Sequence, residues 1–127
     1  MIQKIEVKSQ MRAQLAQKIA QAMNQGVNGK ILGVVMDEAG KFAQSRNPML
    51  AVAKAWIYYD DTAEKLPGQY LMMEVTDLAR DQLAFKVQNA IGQMGPDHFV
   101  ALFNDESGKY AGNSMYAHSK VYIFYRR

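Results

Sequence analysis

The sequence predicts an α+β domain made of two β-α-β-β-β units that share one core around a pseudo-twofold axis. Three observations carry that expectation: an internal repeat, alternating strand patterns, and two helical stripes at matching places. Sliding residues 1–59 onto 69–127 at a constant offset of 68 gives 14 identities in 59 ungapped positions. Composition alone would give roughly three or four. Arg12, Gln14, Leu15, Ala16, Lys18 and Ala22 meet Arg80, Gln82, Leu83, Ala84, Lys86 and Ala90. Asp37, Glu38, Gly40, Lys41 and Ala43 meet Asp105, Glu106, Gly108, Lys109 and Ala111, and Glu6, Val7 and Gln25 meet Glu74, Val75 and Gln93. Residues 1–59 and 69–127 are therefore the two repeats of a single domain, and the polar stretch 60–68 is the linker.

The elements follow in order. Residues 2–8 alternate, with Ile5 and Val7 on one face and Lys4, Glu6 and Lys8 on the other, which predicts a strand. Its counterpart is 70–76, with Met73 and Val75 inward. Ser9 and Asp77 follow as candidate N-caps. Helices are expected over about 10–25 and 78–93, where Leu15, Ile19, Ala22 and Met23 are matched by Leu83, Val87, Ala90 and Ile91 in a one-sided apolar stripe. Gly26 and Gly95 stand near the helix exits, where glycine can take a left-handed conformation. The apolar runs Ile31–Met36 and Phe99–Phe103 suit strands covered on both faces. Each enters an Asp-Glu-x-Gly-Lys turn, in which Gly40 or Gly108 supplies positive φ. A returning strand starts at Phe42 or Tyr110, and a last strand, 52–59 or 119–126, closes the unit.

Composition bounds the function. The 127 residues are 49% hydrophobic and 21% charged, which is a globular balance far from disorder. No apolar run approaches the ~20 residues of a membrane span. The first eight residues lack the apolar core of a secretory signal. With no cysteine there is no disulfide framework, thiolate nucleophile or Cys-ligated metal, so a soluble, cytoplasmic protein is expected. The net charge is +3, and all of the excess lies in residues 1–68, with nine Lys/Arg against six Asp/Glu. That surplus permits anionic partners without requiring them.

Catalysis has little to stand on. The acidic turns lack the alternating oxygen ligands of a calcium loop. His98 and His118 have no histidine at their repeat counterparts, Lys30 and Leu50, and no H-E-x-x-H spacing accompanies them. No nucleophile elbow, P-loop or dinucleotide-binding glycine pattern occurs. The expectation is a non-catalytic binding protein without cofactor or metal.

The last strands carry the candidate site. Alternation puts Ala53, Ala55, Ile57 and Tyr59 on one face and Lys54, Trp56 and Tyr58 on the other. It likewise separates Val121, Ile123 and Tyr125 from Tyr122, Phe124 and Arg126, with Arg127 at the end. Rings interleaved with cations suit single-stranded DNA or RNA, because bases stack on the rings and Lys or Arg meets phosphate. The same aromatics equally suit packing under a helix or across a homodimer or protein interface.

Two tandem β-α-β-β-β modules of this length resemble the vicinal oxygen chelate group of metalloenzymes and drug-binding proteins. That group's ligand positions fall here on Gln3, Leu71, Lys54 and Tyr122, a poor metal set, so the resemblance implies a metal-free small-molecule binder. Read with a shifted boundary, strands from 31, 42, 52 and 70 followed by the helix from 78 resemble the whirly or PUR-type repeats. That resemblance implies single-stranded nucleic-acid binding, the leading expectation. A small phage- or plasmid-type inhibitor module acting on another protein's surface is the remaining class.

Overall fold

The computed structural model describes residues 1–10, 12–37, 53–105 and 119–127. They form an α+β chain of two compact units, Met1–Tyr70 and Leu71–Arg127. The first holds β1 (Ile2–Ser9), α1 (Arg12–Gln25), β2 (Lys30–Asp37) and β3 (Ala53–Asp60). The second holds β4 (Tyr70–Asp77), α2 (Arg80–Met94), β5 (Phe99–Asp105) and β6 (Ser119–Arg126). Tyr70, the first residue of β4, clusters with the first unit. The expected turns with Gly40 and Gly108, the returning strands from Phe42 and Tyr110, and His118 lie outside the described residues. Among the described residues no helix is long and apolar enough to cross a membrane.

Each unit builds a three-stranded sheet with its last strand in the middle, in the orders β1-β3-β2 and β4-β6-β5. β3 runs antiparallel to both neighbours, pairing Glu6 with Trp56 on one side and Val35 with Trp56 on the other. The ladder slips once at Ile31/Gly33, and the β5–β6 ladder slips at the matching Phe99/Ala101.

Burial follows the sequence periodicity closely in the first unit. Leu15, Ile19 and Met23 on α1 are fully buried, as are Ala55 and Ile57 beneath them on β3. α1 packs on β1 and β3, so its stripe covers one face of the sheet. The second unit is looser. Leu83, Val121 and Ile123 form its buried centre, and Met73, Val75, Val87, Ala90 and Ile91 reach it only partly buried. The outer face of α2 leaves Phe85 65% exposed.

The helix ends depart from expectation. α2 begins two residues late, at Arg80, and α1 is described from Arg12. Asp77 is not the N-cap, because that place falls to Ala79, in extended backbone without a side-chain cap. Instead one Asp77 oxygen accepts the Ala79 N–H at 2.9 Å and the other meets Lys86 Nζ at 2.9 Å. Those two contacts, the Ala79 N–H first, hold its carboxyl below the usual range. Gly95 has a positive φ of 94°, but its ψ of 134° lies outside the expected left-handed helical region; its N–H donates to Ile91 O. Gly26 does not, since the positive-φ glycines among the described residues are Gly68 and Gly95. α1 closes instead by sending the N–H groups of Gly26 and Val27 to the one carbonyl of Ala22.

The link between β3 and β4 is tied to the end of α1. Asn24 grips Tyr70 like a ladder partner, accepting its N–H at 2.7 Å and donating to its carbonyl at 2.9 Å. Lys65 Nζ donates to Met23 O at 2.5 Å and sits 5.1 Å from the Tyr70 ring centre. A cation on the last carbonyls of a helix satisfies acceptors that the helix itself cannot. Partial burial there lowers the Lys65 pKa.

β2 also departs from the both-faces-covered reading, since Leu32 and Val35 are about half exposed (52% and 51%). In the described sheet β2 adjoins only β3.

Two stability outcomes follow. Leu15→Ala should cost about 3–5 kcal/mol, the upper part of the range for a fully buried leucine, and Leu83→Ala clearly less, because its partly open surroundings can relax. Urea titrations of both variants check the order. Gly29→Ala should destabilise by about 1–3 kcal/mol, because a Cβ there would run into the Asp60 carbonyl and lie 2.9 Å from Asp61 Cα. Gly33→Ala should stay within about 0.5 kcal/mol of the parent, since a Cβ there meets nothing within 4 Å.

Candidate nucleic-acid interface

Antiparallel pairing puts opposed residues on the same face of a sheet. On the side of the first sheet away from α1, three rows therefore cross from β1 through β3 to β2. Lys8 lies opposite Lys54 and Asp37, Glu6 opposite Trp56 and Val35, and Lys4 opposite Tyr58 and Gly33. Lys4, Glu6, Lys8 and Val35 are exposed, and Lys54, Trp56 and Tyr58 are half-buried. Trp56 and Tyr58 are two residues apart on one strand, so they stand about 6.8 Å apart along it. Gly33 matters by what it lacks. With no side chain beside Tyr58 and open space above it, the β2 edge of that row is uncovered.

The electrostatics are basic but mixed. Glu6 Oε1 lies 3.8 Å from Lys54 Nζ and 3.9 Å from Lys8 Nζ, so one carboxylate is shared between two ammonium groups. Exposed pairs at such distances add little stability, about 0–1 kcal/mol each. Their effect is to hold two cations beside Trp56. Lys4 adds a third at the Tyr58 row.

The second sheet repeats the pattern with a different outcome. Lys120 lies opposite Asp105, Tyr122 opposite Phe103 and Phe124 opposite Ala101. Lys120 Nζ reaches Glu74 at 3.3 Å, as Lys54 reaches Glu6. Here the rings are inside. Tyr122 and Phe124 are 1% and 0% exposed, with the Phe103 ring 5.1 Å and 5.8 Å from them. The structural counterpart of Lys54-Trp56-Tyr58 is thus Lys120-Tyr122-Phe124, an offset of 66 rather than 68. The connection 38–52 has 15 residues and 106–118 has 13, which accounts for the two-residue slip.

Of the seven expected site residues, the structure gathers Lys54, Trp56 and Tyr58 on one accessible face. Tyr122 and Phe124 are buried with Phe103. Arg126 is held elsewhere, donating from Nη2 to Asp97 O at 2.7 Å, and Arg127 is exposed at the strand end. Lys4, Lys8 and Gly33 join the face through pairing that single-strand alternation did not reveal. Among the described residues no group of three or more His, Cys, Asp or Glu is placed to hold a metal ion.

These placements separate two aromatic roles. Phe124→Ala should lose about 3–5 kcal/mol of unfolding free energy, whereas Trp56→Ala should lose markedly less. Iodide should quench Trp56 emission in the folded protein, which a denaturant series and a quenching titration together check.

No protein-family model matches the chain, and neither the curated proteins nor the solved structures yield a significant match.

Proposed function

We propose that the protein binds single-stranded nucleic acid, with the outer face of the first sheet as the contact. The observation that supports this most is the accessible pair Trp56 and Tyr58 on one strand, flanked by Lys4, Lys8 and Lys54. Bases stack on the two rings while phosphates meet the lysines, a sequence-tolerant mode driven by stacking and charge. Duplex DNA fits this face poorly, because its bases are stacked inside and present no ring surface.

The reading includes an internal duplication of the β-α-β-β-β unit expected from the sequence. The repeated identities, the equal element order and the matching ladder slips support it. In the second copy the aromatic face has become interior, so one copy carries the contact.

Fluorescence titration with short oligothymidylate tests the proposal. Trp56 emission should be quenched saturably, with affinity falling as salt rises because counterions are released. Trp56→Ala should cost about 1–3 kcal/mol of binding. Lys54→Ala should reduce the salt slope by about 0.7, the share of one phosphate on a single strand. Absence of binding at low salt by folded protein would retire the reading. Quenching by small apolar molecules, or by self-association, would favour a small-molecule or protein partner instead.

A further inference from the structure

The two units treat one corner of their sheets in opposite ways. In each, the middle strand ends beside the start of its neighbour. Asp60 pairs with Lys30 at the end of β3, and Arg126 N–H donates to His98 O at 2.8 Å at the end of β6. The residues that follow in place are Asp60-Asp61 in the first unit and Arg126-Arg127 in the second.

The acidic corner is internally satisfied. Asp60 accepts from the Thr62 hydroxyl at 2.6 Å and from the Thr62 N–H at 2.9 Å, contacts that lower its pKa. Asp61 accepts from Gln3 Nε2 at 3.0 Å and from the Met1 amino group at 3.0 Å, and its pKa is lowered by both.

The basic corner surrounds an open hollow of about 220 Å³ lined by Gln93, Met94, His98, Tyr125, Arg126 and Arg127. Among the described residues no acidic side chain lines it. Its geometry is set by backbone contacts. Arg126 carbonyl accepts from His98 Nδ1 at 2.9 Å, and Arg126 Nη2 donates to Asp97 O. A carbonyl can only accept, so His98 Nδ1 carries a hydrogen and its ring is oriented by that bond. Arg126, Arg127, the oriented His98 and Gln93 thus border a cavity that Met94 and Tyr125 also line. The fold does not require this charge, because the first unit carries two aspartates at the same place.

We propose that the hollow binds a phosphomonoester dianion. Arg127 and Arg126 supply the charge-assisted contacts that favour phosphate over a singly charged carboxylate. Met94 and Tyr125 receive the ester's organic part. A small phosphate ester and the terminal phosphate of a nucleic-acid strand share this chemistry. The hollow belongs wholly to the second unit, and the proposal does not depend on the Trp56 face.

Histidine-ring NMR tests it, with the His98 signal assigned through His98→Gln. The probes are phenyl phosphate, oligothymidylate with a 5′-phosphate, and the same oligomer without one, each in chloride buffer of matched ionic strength. Phenyl phosphate should shift the His98 ring signals saturably. The double variant Arg126→Asp/Arg127→Asp, which copies the first unit's corner, should weaken this by at least about tenfold. Arg127→Gln gives the same reading if the double variant does not fold, with a smaller loss. A response to the 5′-phosphorylated oligomer and not to phenyl phosphate would assign the site to strand ends. No His98 response to either phosphate ester in folded protein, or equal responses in parent and Arg127→Gln, would overturn the proposal.

Discussion

Each sheet depends on its last strand. β3 and β6 sit between their neighbours and carry the ladders on both sides, so neither sheet exists until the chain has returned from its longest connection. That constraint makes the pairing non-local, and it decides which residues meet. Lys4, Glu6 and Lys8 become neighbours of Lys54, Trp56 and Tyr58 only because β3 inserts beside β1. It also gives the middle strand two different tasks. Its inward residues must fit under a helix, while its outward residues are free to take another role.

How the outward residues are used follows from what the inward ones achieve. In the first unit α1 buries Leu15, Ile19 and Met23 completely, and β3 alternates between buried and half-buried positions along most of its length. One face closes the core, and the other remains available. In the second unit the helix side is partly buried, and Val121 to Phe124 are all buried in succession. A middle strand buried on both faces contributes more apolar area, at roughly 25 cal/mol per Å². The Phe103, Tyr122 and Phe124 rings thus strengthen a unit whose helix covers its sheet less fully.

Much of this was legible in the sequence because it is periodic. The i, i+4, i+7, i+8 stripes of both helices and the alternation of Ala53, Ala55 and Ile57 name the core directly. What was not legible is relational. Alternation separates the faces of residues 120–126 but cannot say that both are interior, because an aromatic is at home in a core or at a surface. An ungapped comparison at offset 68 also leaves out a second pairing of the last strands. Yet Ala-Lys-Ala-Trp-Ile-Tyr-Tyr against Ser-Lys-Val-Tyr-Ile-Phe-Tyr, at offset 66, pairs Lys with Lys, Ile with Ile and Tyr with Tyr. Gly26 misled for a local reason, since Ala22 O takes two N–H groups and no left-handed residue is needed.

Two similar units in one chain supply an internal control that separates scaffold from function. Where they agree, the feature serves the fold. Lys18 and Lys86 both reach back from the helix to a strand carbonyl, Lys8 O and Thr76 O, at 3.4 Å and 3.3 Å. The Glu6–Lys54 and Glu74–Lys120 pairs likewise recur. Glu6 is therefore better read as a cross-strand partner than as a ligand contact, even though it adjoins Trp56. Where the units disagree, the fold tolerates both solutions and cannot be the reason for either. Trp56 is accessible where Tyr122 is buried, and Arg126-Arg127 replaces Asp60-Asp61. Both differences place cationic side chains where the two proposals need them, lysines beside accessible rings in one case and arginines around a hollow in the other. A surplus of only +3 over the whole chain thus understates the basic character of these two places. Charge acts locally, because screening limits its reach to about 8–10 Å at physiological salt.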